Sequence, residues 1–143
     1  MTSWHDLEQA SGAEEVEHTA DRAFRIRGRN LTQLLERAAQ VLVALEAEPL
    51  ARECFVKRVI EVEGTDRETL LVNWLNEILY LEQTYQETYD HCLLQDVTDH
   101  HLRAQLYSRP ADSNVASAKA VTFHNLEVKE SSDGLEATFV VDV

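Results

Sequence analysis

Apolar residues recur along this chain in two rhythms. Between Arg22 and Gly28 the period is two: Phe24 and Ile26 point one way, Arg25 and Arg27 the other. That pattern predicts a half-buried strand with one basic, wet face, closed by Gly28. From Leu31 the period lengthens, with Leu34, Leu35, Ala38, Leu42 and Leu45 at helical spacing. A single apolar stripe over about 15 residues predicts a helix lying on a sheet. Asn30 is its N-cap, with Gln33 as reciprocal partner, and Pro49 marks its end or the loop beyond. Cys54 to Glu63 returns to strand character, with Val56, Ile60 and Val62 on one face. Arg58 interrupts that face, which predicts a bulge or an edge position. Thr65 and Glu68 read as a second capping box. Leu70, Leu71, Trp74, Leu75, Ile78, Leu79 and Leu81 then form the most strongly amphipathic stretch, a helix expected to run to about Thr88.

Residues 1 to 13 hold no period and read as a mobile tail, followed by a short strand at Glu15-Val16-Glu17-His18. The last third predicts four strands, near Asp90 to Val97, His101 to Tyr107, Ala118 to Lys129 and Leu135 to Val143. Asp133-Gly134 joins the last two as a hairpin turn. Val121 and Phe123 are odd-numbered while Leu126 and Val128 are even, so the phase slips by one residue, as at a β-bulge near His124-Asn125. The expected fold is α+β. It is a single domain over residues 14–143, a two-layer α/β sandwich. One mostly antiparallel or mixed sheet carries the helices near 31–45 and 66–88 on one face.

Composition narrows the function. A chain of 143 residues with 44% hydrophobic residues suits one domain with a core. No apolar run reaches membrane-spanning length, and the start at Met1-Thr2-Ser3-Trp4-His5-Asp6 lacks the basic and apolar parts of a signal peptide. Cys54 and Cys92 form no CxxC pair, so the expectation is a soluble, reduced, cytoplasmic protein. Thirteen Lys and Arg stand against 26 acids, a net charge of −13. That balance disfavours strong direct nucleic-acid binding and suits a basic partner or cations. Glycine-rich phosphate loops and a GxSxG elbow are both missing. His91, His100 and His101 read as a solvated turn before a metal site.

One constellation remains. His18-Thr19-Ala20-Asp21 precedes the first alternating strand, and Phe139-Val140-Val141-Asp142-Val143 ends the last. Leu135, Ala137, Phe139, Val141 and Val143 share a face, which puts Asp142 on the opposite, wetter face with Glu136 and Thr138. If the two strands are neighbours, Asp21, Asp142 and the terminal carboxylate of Val143 could share one ion. Oxygen donors alone suit a hard cation such as calcium or magnesium. Spacing leaves the plainer alternative open, that Asp142 is a solvated strand end and Asp21 a turn residue. A metal-dependent enzyme centred on Asp21, Asp142, His18 and His124 lacks any marked nucleophile or base.

These runs, with Lys119-Ala120-Val121-Thr122-Phe123-His124-Asn125-Leu126-Glu127-Val128, resemble the archease family. Leu71-Val72-Asn73-Trp74-Leu75-Asn76-Glu77-Ile78-Leu79-Tyr80 is similar to the family's long helix. The resemblance runs from about Glu14 to Val143, while Ser108 to Ser117 has little family character. It implies an accessory protein rather than a catalyst. Such proteins stimulate RNA-splicing ligases of the RtcB type, promoting guanylylation and repeated turnover; a more general chaperone-like role is the alternative. The resemblance also implies a metal site of Asp21, Asp142 and Val143, for calcium or else magnesium or manganese. His18, Lys119 and His124 match motif positions with supporting or partner-contact roles.

Overall fold

The computed structural model describes residues 12–16, 22–46, 56–111, 120–122 and 126–142. In chain order these form β1 (Ala13–Val16), β2 (Arg22–Gly28), α1 (Leu31–Glu46), β3 (Val56–Glu63), α2 (Arg67–Tyr85), β4 (Glu87–Gln95), β5 (His101–Pro110), β6 (Ala120–Thr122), β7 (Val128–Ser131) and β8 (Gly134–Asp142). The α+β class is as expected, and every described ladder is antiparallel. The single expected sheet is instead two. Five strands run β1-β2-β8-β6, with β7 also on β8, and three run β3-β5-β4.

Each sheet turns one face to the helices. Phe24 and Ile26 of β2, with Leu135, Ala137, Phe139 and Val141 of β8, are buried. So are Leu102, Ala104 and Leu106 of β5. The rhythm of two was therefore read correctly on all three strands. α1 packs on β2, β8 and β4, while α2 packs on β3, β4 and β6. The indole N–H of Trp74 donates to the Leu35 carbonyl at 2.9 Å and ties the helices together. α2 is buried on much of its circumference, Val72 and Glu82 included, so α1 is the more one-sided helix.

Helix ends show how local signals compete. Asn30 caps α1 as expected, its Oδ1 accepting from the Gln33 N–H at 2.9 Å. The Gln33 side chain reaches one residue further back than a capping box, to the Arg29 N–H. At α2 the cap is Asp66, which accepts from the Thr69 N–H at 2.7 Å, and not Thr65. The expected partner Glu68 turns away to accept from the Val128 N–H. A carboxylate outcompetes a hydroxyl for the same orphan donors. α2 stops at Tyr85, short of Thr88. Gln86 takes a left-handed conformation (φ 51°), and Glu87 and Thr88 join β4 opposite Pro110 and Arg109.

The remaining strand expectations hold in outline. β1 begins at Ala13, ahead of the expected Glu15, and the Arg27 N–H donates to the Gly12 carbonyl. Residues 1–11, Glu17, His18 and Pro49 lie outside the described residues. β3 is an end strand without a bulge, so of the two readings of Arg58 the edge is right. The expected strand from Ala118 to Lys129 is two strands on one partner. Thr122 pairs with Val140 and Val128 with Ala137. Six positions on one side thus match three on β8, an odd excess that inverts the phase as the sequence does. Phe123, His124 and Asn125 lie outside the described residues. β7 and β8 do form a hairpin, in which Ser131 pairs with Gly134 across Ser132-Asp133. Gly134 has φ +131°, and a side chain there would strike the Gly28 carbonyl.

Candidate functional site

β8 is an interior strand with β2 on one side and β6 on the other. Its ladder with β2 ends at Arg22 opposite Val141, and its ladder with β6 begins at Ala120 opposite Asp142. Asp142 is half-buried. Among the expected site residues it alone is described. His18, Asp21, Lys119, His124 and Val143 lie outside the described residues, as does Cys54.

The face of β8 that carries Asp142 changes character along its length. At Glu136 it is an exposed ion lattice. Arg27 Nε and Arg25 Nε meet the Glu136 carboxylate at 3.0 and 3.4 Å, and Arg25 meets Glu14 at 2.9 Å. The basic face expected of β2 is thus neutralised by neighbouring acids. Towards Asp142 the same face turns dry, because Ala23 and Val140 stand opposite each other and both are buried. Sequence alternation assigned that whole face to water. The hint against it was Phe139-Val140-Val141, three apolar residues in succession. Asp142 therefore sits at the edge of an apolar strip, where a carboxylate gains from compensation by a cation or a donor.

The histidines are placed differently from one another. His91 stacks on Tyr107, with ring centroids 4.3 Å apart. His101 lies 3.5 Å from Glu61, and its Nδ1 is 3.2 Å from the Asp96 carbonyl. No group of three metal-ligating side chains gathers among the described residues. Cys92 is a buried free thiol, pushed up from its ordinary range by burial and then by the nearby Glu36 charge.

One polar cluster escaped the sequence reading. The Arg58 guanidinium donates to both oxygens of buried Glu87, at 2.5 and 2.8 Å, and lies 3.8 Å over the Tyr85 ring. The Tyr89 hydroxyl donates to the same carboxylate at 2.7 Å. Its only sequence signal was Arg58 interrupting an apolar face. A bidentate pair that also takes a tyrosine hydroxyl fixes the start of β4 against β3.

Fold and strand-end acid together define an α+β domain of two antiparallel sheets, covered by two helices, with a carboxylate where three strands of one sheet terminate or begin. The profile of the Archease protein family (MTH1598/TM1083) matches residues 14–143. Protein archease of Methanosarcina barkeri is 31% identical over 152 residues, covering 94% of this chain and 98% of that one. Protein archease of Archaeoglobus fulgidus is 33% identical over 143 residues, covering 90% and 96%. The solution structure of Methanobacterium thermoautotrophicum protein 1598 superposes with a TM-score of 0.72 at 25% identity, over 92% of this chain and 99% of that one. A Thermotoga maritima crystal structure, described as an archease and possible chaperone, has the same fold with a TM-score of 0.63 at 21% identity, over 91% and 96%. The chain belongs to the archease family. No helix among the described residues is long and apolar enough to cross a membrane.

Proposed function

We propose that this protein is a non-catalytic activator of an RNA-splicing ligase of the RtcB type, acting in the cytoplasm and using a divalent cation held at the end of β8. Family membership supports the accessory role, and the description of the Thermotoga relative as a possible chaperone is in keeping with a protein partner. The observation that carries the site is the strand register. Arg22, which follows Asp21 in the chain, pairs with Val141, which precedes Asp142. Ala120, which follows Lys119, pairs with Asp142 itself. Were each ladder to continue by one residue, Asp21 would come opposite Asp142, and Lys119 opposite Val143.

The donor chemistry fits a hard cation. Asp142 offers carboxylate oxygens beside an apolar strip, and Asp21 with a main-chain or terminal oxygen of Val143 would complete an oxygen-only set. Bound there, calcium (or magnesium or manganese) would offset the repulsion between two neighbouring carboxylates. His18, Lys119 and His124 orient these acids or meet the partner. The net charge of −13 suits docking on a basic, RNA-handling enzyme.

The test is multiple-turnover RNA joining by a purified ligase of this type with GTP. Substoichiometric wild-type protein raises the yield per ligase and joins nothing alone. Asp21→Ala abolishes that stimulation with an unchanged circular dichroism spectrum. Calcium raises the Tm of the wild type and does so less for Asp142→Asn. Joining without ligase, or full stimulation by Asp21→Ala, rejects the proposal.

A further inference from the structure

We propose that the outer edge of β3 is a self-complementary pairing surface, on which a second copy of this chain docks antiparallel about a two-fold axis at Val59. β3 is an end strand of its sheet, and no strand among the described residues pairs with its other side. The direction of its free hydrogen-bonding groups follows from one bond. The Gly64 N–H donates to the His100 carbonyl at 2.9 Å, in register with the β3–β5 ladder. Antiparallel bonding alternates residue by residue, so the even-numbered residues of β3 turn their N–H and C=O to β5. Lys57, Val59, Glu61 and Glu63 turn theirs outward. Glu63 agrees, since its carbonyl accepts from the Asn73 side chain at 2.8 Å. Among the described residues nothing pairs with the outward groups of Lys57, Val59 and Glu61.

Their side chains share the exposed face of the sheet, and Val59 is 49% exposed. Exposed edges are commonly blunted by proline, a bulge or charged side chains; of these β3 has only the charges, and Lys57 and Glu61 are of opposite sign. β3 has the sequence VKRVIEVE, and its register with β5 runs without a shift.

Charge selects the occupant. A two-fold axis at Val59 sets Lys57 opposite Glu61 of the second copy, and Glu61 opposite its Lys57. Arg103 already stands opposite Glu61 across the β3–β5 ladder. A row across the joined sheet therefore reads Arg103, Glu61, then Lys57 of the second copy, with signs alternating. On the other face Arg58 comes opposite Ile60 of the second copy. Its guanidinium is already drawn back onto Glu87 and the Tyr85 ring, so no cation meets a cation at the axis. Docking joins the two three-stranded sheets into one of six strands. The net charge of −13 repels two copies at long range, but that repulsion is screened over about 8 Å at physiological salt, while the Lys57–Glu61 contacts are local.

Sedimentation equilibrium on the full chain alone, over a wide concentration range, tests this without any ligase. The wild type shows a concentration-dependent dimer. Lys57→Glu or Glu61→Lys each sets like charges opposite one another twice per dimer and raises the dissociation constant about tenfold. The double exchange restores it, and an equimolar mixture of the two single variants forms a mixed dimer. Val59→Pro, whose lost N–H faces outward, removes the dimer while circular dichroism and Tm report a folded chain. A wild type that stays monomeric throughout, or a dimer indifferent to both single reversals, overturns the proposal.

Discussion

Cys92 and Tyr89 lie in β4, and burial makes both harder to ionise in the folded state. For Tyr89 the hydrogen bond to Glu87 acts in the same direction after burial. The unfolded thiol and phenol titrate near about 8.5 and about 10. A folded-state value raised above the unfolded one gives stability that is complete below the unfolded value and is lost as pH rises. Unfolding free energy should therefore fall above about pH 8.5 and more steeply above about pH 10, each group contributing up to about 1.4 kcal/mol per pH unit. Urea titrations across that range check it, and Cys92→Ala should remove the fall that begins at the lower value. Burial of this kind was only partly legible. Cys92 alternates with Leu94 on an apolar face, but that Glu87 would hold Tyr89 and Arg58 together depends on β4 meeting β3 through β5.

Among the elements, helix starts gave the clearest local signals and helix ends the weakest. Asn30 could be read directly, because a short acceptor immediately before an apolar period has few other uses. At α2 the expected pair of Thr65 and Glu68 gives way to Asp66, whose carboxylate is the stronger acceptor and takes the Thr69 N–H, while Glu68 is drawn off to the Val128 N–H. Asn30→Ala should cost about 1 kcal/mol in chemical denaturation. At Asp66 the hydrogen bond from the Thr69 N–H, then that from its hydroxyl, holds the carboxyl below its ordinary value. A depressed value gives stability present above about pH 3.9 and lost as pH falls through the folded value. Asp66→Asn should keep the cap and flatten the acid limb of a Tm–pH profile, whereas Asp66→Ala should lower Tm at neutral pH as well. The end of α2 was misjudged because Glu87 and Thr88 are recruited by residues more than 20 positions away, Pro110 and Arg109.

At the scale of the molecule, the alternation that fixed which face of each strand is dry says nothing about which strands are neighbours. Two sheets were therefore read as one. The same non-local choice decides the site: Asp142 was legible as a strand-end acid, while the dry patch of Ala23 and Val140 beside it needed β2 and β8 to be adjacent. One contact between layers has a further consequence. The Asn76 side chain donates to the Val121 carbonyl at 3.0 Å and accepts from the Val121 N–H at 2.8 Å. An amide that both donates and accepts imitates the peptide unit a next strand would supply, so α2 finishes the edge of β6 as a strand otherwise would. Three residues further towards its start, Asn73 does half of this for the outer edge of β3 at Glu63. Asn76→Ala should thus speed amide exchange at Val121, read by NMR, well before global unfolding. α2 then acts as a latch on the short strand that pairs with Asp142. Any tilt of that helix loosens the strand first, so pressure applied far from the acid reaches it as fraying.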